Sequence, residues 1–159
     1  MVEHQIVSAA EVMPEEKYFF SPAAGEFNGV RTFAQQLRHV AYANHLFFGA
    51  ILGQTAQSGP ERNGPESIKT KEQILRYLRD SFALDHKAIA AITLENEVAL
   101  LDKPPVPAFN TRLGIINHMC AHAYELRSDR RISSHERNRS SREPTAKVAV
   151  EYGAPDLHA

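Results

Sequence analysis

The chain holds a single cysteine, Cys120, which excludes an intramolecular disulfide framework. It has no excess of either charge: the net charge is -1 and the isoelectric point is near 6.7. That balance provides no global field to draw in nucleic acid or anionic lipid, so neither nucleic acid nor a membrane is expected as a partner. No apolar run approaches the ~20 residues needed to span a bilayer. The N-terminus also lacks the basic stretch and apolar core of a secretory signal, which makes the expected location cytoplasmic. Alternating apolar and polar runs long enough for a sheet are missing as well, and the economical reading is an all-α fold.

The 159 residues are 43% hydrophobic and 23% charged, enough for one domain that buries roughly 70% of its extended surface. Val2 to Met13 reads as a short helix stopped by Pro14. Residues 14 to 31 contain Pro22, Gly25 and Gly29 and read as an extended connection. Thr32 with Gln35 is a capping-box pattern that opens a helix to about Leu52, and Thr70 with Gln73 opens another to about Ile92. The Gly- and Pro-bearing stretches Gly53 to Lys69 and Leu101 to Asn110 read as loops, and a fourth helix starts near Thr111.

Helical phase sorts the histidines. Phe33, Leu37, Val40, Asn44, Phe47 and Ile51 centre the apolar stripe of the second helix. His45 falls opposite this stripe, toward solvent, while His39 falls at its flank, where a polar ring needs a partner. On the fourth helix the apolar face is read as Leu113, Ile116, Cys120 and Ala123. His122 borders that face, and His118 lies about 40° further toward solvent. Cys120, placed in the core by this phase, is a poor nucleophile, because an apolar site disfavours its thiolate.

His118 and His122 stand four residues apart on one helix, so both can reach one ion, and His39 from a facing helix completes a set of three imidazoles. The competing interpretation is that His39 is a core histidine bonded to a carbonyl and that His118 and His122 are half-exposed helix residues.

The stretch MPEEKYFFSPAAGEFNGVRTFAQQLRHVAYANHLFFGAILG, Met13 to Gly53, resembles the DinB (damage-inducible) family, as do TKEQILRYLRDSFALDHKAIAAIT and INHMCAHAYE after it. The resemblance covers roughly residues 5 to 125. It implies an up-down four-helix bundle of the DinB/YfiT-like type, often a homodimer, with one divalent ion, Zn or Ni, held by three histidines. His39 matches the first of these ligands and His122 the second. Relatives in the wider superfamily are metal-dependent thiol transferases or hydrolases. The implied chemistry is therefore activation of a water or a low-molecular-weight thiol toward a small-molecule substrate.

The pattern breaks after Glu125. The family continues HxxxHYGQ and then YLRMNGIVPP, which puts its third ligand four residues beyond the second, where this chain has Leu126. The stretch Arg130 to Ser141, RRISSHERNRSS, can be encoded by a string that spells VVYLRMNGIVPP when read one nucleotide later. A net loss of two nucleotides after the Glu125 codon would account for the break, and a gene whose shifted frame lacks that peptide would exclude it. Six of the twelve arginines fall between Arg127 and Arg142, a composition that supplies no apolar stripe for a last helix. The sequence thus predicts a helical domain over residues 1–126 and a disordered Arg/Ser-rich tail over 127–159. It also predicts an ion site weakened by the missing ligand, with His118 or the solvent-facing Glu125 as possible substitutes. Two alternatives stand beside the metal-dependent protein: a noncatalytic helical dimerisation module, and a nonfunctional frameshifted product.

Overall fold

A computed structural model of the chain describes residues 2–21, 30–54 and 64–123. These all fall within the first of the two units into which the chain divides, Met1–Ala123. Five helices make up the described structure: α1 Val2–Val12, α2 Glu15–Tyr18, α3 Phe33–Ile51, α4 Lys71–Ala90, and α5, described from residue 112 to 123. No strand occurs among the described residues beyond an isolated antiparallel bridge between Leu100 and Thr111. None of the described helices is long and apolar enough to cross a membrane.

The two capping boxes form as their sequence pattern requires. Thr32 accepts from the Gln35 backbone N–H at 3.1 Å while the Gln35 side chain accepts from Thr32 N–H at 2.8 Å. Thr70 and Gln73 repeat the exchange at the start of α4. Each box satisfies N–H groups that a helix start otherwise leaves without partners. The far end of α3 closes on Gly53, whose φ of 73° is available to glycine at little cost. Gly53 N–H donates to Ala50 and Gln54 N–H to Gly49, which together make a Schellman motif.

Residues 14–21 depart from the extended connection expected of them, because a short helix, α2, follows Pro14. Glu15 and Glu16 occupy its first turn, where carboxylates favour the helix N-terminus. Its purpose is to seat Tyr18, which is fully buried. The Tyr18 hydroxyl donates to the Ala10 carbonyl of α1. Burial, and next the charges of Glu11 and Glu15, push that hydroxyl's pKa up to about 12, so it remains a donor at any ordinary pH.

Tyr18 also sets the direction of the helices. The first residue of α3, Phe33, meets its ring edge-on at 5.2 Å, and the first residue of α4, Lys71, lies over the same ring at 5.5 Å. α3 and α4 therefore start at one end and run parallel. Asn44 Nδ2 donates to Ser81 Oγ halfway along (3.1 Å), and Ala88 joins Phe47, Phe48 and Ile51 near the far end. α1 runs against α4, with Lys71 donating to the Glu11 and Met13 carbonyls (2.8 Å each) and His86 meeting Glu3 at 2.7 Å. α5 runs against α3, with His118 beside Phe47 and His122 beside His39. The bundle expected from the sequence is present, but its helices run up, down, down, up instead of alternating. A parallel neighbour needs the chain to travel back along α3, about 28 Å at 1.5 Å per residue. The residues between Ile51 and Lys71 are numerous enough for that span.

The return is anchored where Gly64 meets Arg38. The Arg38 guanidinium donates to the Pro65 and Ile68 carbonyls at 3.2 and 3.1 Å. Gly64 has φ of 71°, and a Cβ there would stand 2.7 Å from the Arg38 carbonyl oxygen, so only glycine fits. The core of the unit lies between α3, α4 and α5: Ala43, Phe47, Phe48, Ala50 and Ile51, with Ala88 and with Ile115 and Met119.

Candidate functional site

The site is built on the face that α3 and α5 share. His39 and His122 are both half-buried, and their rings stand edge to face with centroids 5.5 Å apart. His118, one turn before His122, lies nearly parallel to it at 6.0 Å and 13°. The three histidines singled out from sequence spacing thus form one continuous row.

The position of His118 corrects the sequence reading. Instead of drifting toward solvent, its ring stacks on Phe109 at 4.0 Å and 16°, with Phe47 at 4.9 Å on the α3 side. Phe109 also meets Phe47, at 6.0 Å and 69°. The cause lies in the connection before α5. Phe109 N–H donates to Val106, Leu101 N–H to Asn110 (2.8 Å) and Leu113 N–H to Glu97. This loop lays Phe109 over the bundle's edge and fixes the rotation at which α5 enters. In that rotation Ile115 and Met119 are buried, whereas Leu113 and Cys120 face outward. Cys120 is therefore an exposed thiol, not the core residue that the assumed stripe made it.

His45 is likewise not the solvated ring expected of it. α4 lays Tyr77 against it, stacked at 5.0 Å and 25°, which leaves His45 half-buried. Burial pushes its pKa down, and Asp80 opposes part of that shift. His45 stays outside the His39, His122, His118 row.

One charged group was missed in the sequence. Asp85 on α4 is 7% exposed, and its Oδ1 has no hydrogen-bond partner. Burial, and then the charge of Glu3 on α1, push its carboxyl up to about 8. Its place among Ile74, Leu78, Ser81 and Ala88 on the inner stripe of α4 was the available signal, since a carboxylate at that phase is buried by the pattern around it.

An imidazole bound through nitrogen at 2.0–2.1 Å has its centroid roughly 3 Å from the ion, so two rings sharing an ion stand about 4.5–5.5 Å apart. His39 and His122 meet the upper end of that spacing. His118 and His122 exceed it, with His118 engaged by Phe109. Among the described residues no group of three or more His, Cys, Asp or Glu side chains is disposed to hold a metal ion. The donor chemistry suits a divalent ion, but the third position does not close. Glu125 and Leu126, the other positions considered for it, lie outside the described residues, as does the Arg/Ser-rich tail.

The sequence profile described as the DinB superfamily matches residues 1–125, most of the chain and all of the described helices. The chain belongs to the DinB superfamily. Members are generally metal-associated helical bundles, in keeping with the all-α architecture and with the imidazoles gathered between α3 and α5. The superfamily match ends at Glu125, the residue after which the sequence leaves the family pattern. No curated protein and no solved structure matches the chain at a significant level.

Proposed function

We propose that this DinB-superfamily chain is a metal-dependent protein of the thiol transferase or hydrolase class, working on a small molecule, whose ion site is weakened. The observation that carries the reading is the His39 and His122 pair, two half-buried imidazoles from facing helices at 5.5 Å. Zn or Ni is the ion we assign on the family resemblance, and imidazole donors are compatible with either. Among the described residues His118 is the third imidazole in the row, although its stack on Phe109 keeps it from the pair. We further assign the protein to a homodimer, on the family resemblance.

Two ligands leave an ion held mainly by water, so affinity falls well below that of a three- or four-ligand protein site. Calorimetric titration with Zn2+ tests this. The chain as it stands binds with a dissociation constant in the micromolar range or weaker. Leu126→His, which restores an imidazole four residues beyond His122, tightens it. If neither protein shows Zn2+ binding that His39→Ala removes, the metal reading falls. A noncatalytic helical module, favoured by the absence of a three-donor group among the described residues, then takes its place.

A further inference from the structure

We propose that Phe109 is a positioning residue that holds the His118 ring away from the His39 and His122 pair, so that the loop before α5 governs how many imidazoles the site presents. The inference rests on the metal reading above and adds the residue that limits it.

Four rings stand in sequence along this edge of the bundle: Phe109, His118, His122 and His39, with centroid separations of 4.0, 6.0 and 5.5 Å. The closest of these contacts is the one between Phe109 and His118, stacked nearly parallel at 16°. For an imidazole to share an ion with His122 its nitrogen must turn toward that neighbour, and a ring turned in that way gives up a parallel stack on Phe109. The two arrangements compete for the same side chain. Phe109 is not a loose competitor, since its own N–H is bonded to Val106 at 2.9 Å. The connection that carries it is tied at Leu101 to Asn110, and Phe47 packs edge-on against its ring from α3. His118, by contrast, is held by ring contacts on its two aromatic neighbours, so removing one of them frees it to rotate about χ1 and χ2.

The test is Co2+ titration, followed by the metal's visible absorption, on the full chain and on Phe109→Leu and Phe109→Ala. The leucine variant keeps apolar bulk under Phe47, so that loss of folding does not stand in for loss of the stack, and circular dichroism melts accompany each protein. Both variants are expected to bind Co2+ about tenfold more tightly than the parent, the factor that one aromatic pair represents. The bands are expected to strengthen as a third nitrogen enters. Adding His118→Ala to either variant is expected to return affinity to the parent value. Parent binding that depends on His39 and His122, with no gain in the Phe109 variants or a gain that survives His118→Ala, overturns this inference and leaves the metal reading intact. Absence of any His39-dependent Co2+ binding in parent and variants alike overturns both.

Discussion

The ring of His39 on α3 stands edge-on to the ring of His122 on α5, with centroids 5.5 Å apart, across the seam of two antiparallel helices. Residues 83 positions apart in the chain are brought together by the packing of Phe47 and Ile51 against Ile115 and Met119. Any ion shared by the two helices depends on both rings. His39→Ala and His122→Ala should each weaken Ni2+ binding by tenfold or more, measured by equilibrium dialysis. His45→Ala should leave it unchanged, because His45 is stacked on Tyr77 outside the row. Equal losses from all three substitutions would refute the assignment.

Gly64→Ala should destabilise the fold by roughly 2 kcal/mol or more, because it combines a strained positive φ with a backbone clash on Arg38. Arg38→Ala should cost about 1–3 kcal/mol through the loss of two hydrogen bonds to carbonyls. Urea unfolding followed by circular dichroism reads both. A wild-type midpoint for Gly64→Ala would mean that the return segment does not lie against α3.

Asp85 imposes a pH dependence whose sign follows from its raised pKa. The folded chain keeps the proton up to about pH 8, whereas the unfolded chain releases it near the ordinary carboxylate value of 3.8. The stabilising contribution is therefore full at low pH and is lost progressively as pH rises toward 8. Asp85→Asn, which resembles the protonated acid, should remove this slope. At pH 8 the gain should be roughly 1–3 kcal/mol, and near pH 4 it should be small. Thermal melts of the two proteins across that range decide the matter, and parallel curves would show that Asp85 does not titrate in this window.

Cys120 should react with a thiol reagent in the folded state, since it faces outward on α5. A rate that matches the fully unfolded chain within about an order of magnitude is expected, because exposure is what limits a cysteine of this kind. Protection of a thousandfold or more would restore the core position that the sequence pattern favoured.

Much of the helical framework was legible locally. Thr32 with Gln35 and Thr70 with Gln73 carry their own start signals within four residues, and Pro14 stops α1 whatever packs beside it. Helix α2 was not legible, because four residues after a proline gain their stability from Tyr18 reaching Ala10, Phe33 and Lys71, all distant in sequence or on other helices. The parallel course of α3 and α4 was hidden for a similar reason. Two amphipathic helices joined by a long connection have the same pattern in either direction, and only the shared contact on Tyr18 distinguishes them.

By itself the sequence determined four of the five helical segments, where α3 and α4 begin, the superfamily, and the three histidines that could meet. All of these rest on residues a few positions apart or on motifs in order. Tertiary structure alone decided the rotation of α5. Leu113, Ile115, Ile116, Met119 and Cys120 wrap apolar side chains around much of its surface, so several faces compete and the helix carries no unique inward stripe. Phe109, stacked on His118, and Phe47, packed against it, settle the competition in the rotation that buries Ile115 and Met119 and exposes Cys120.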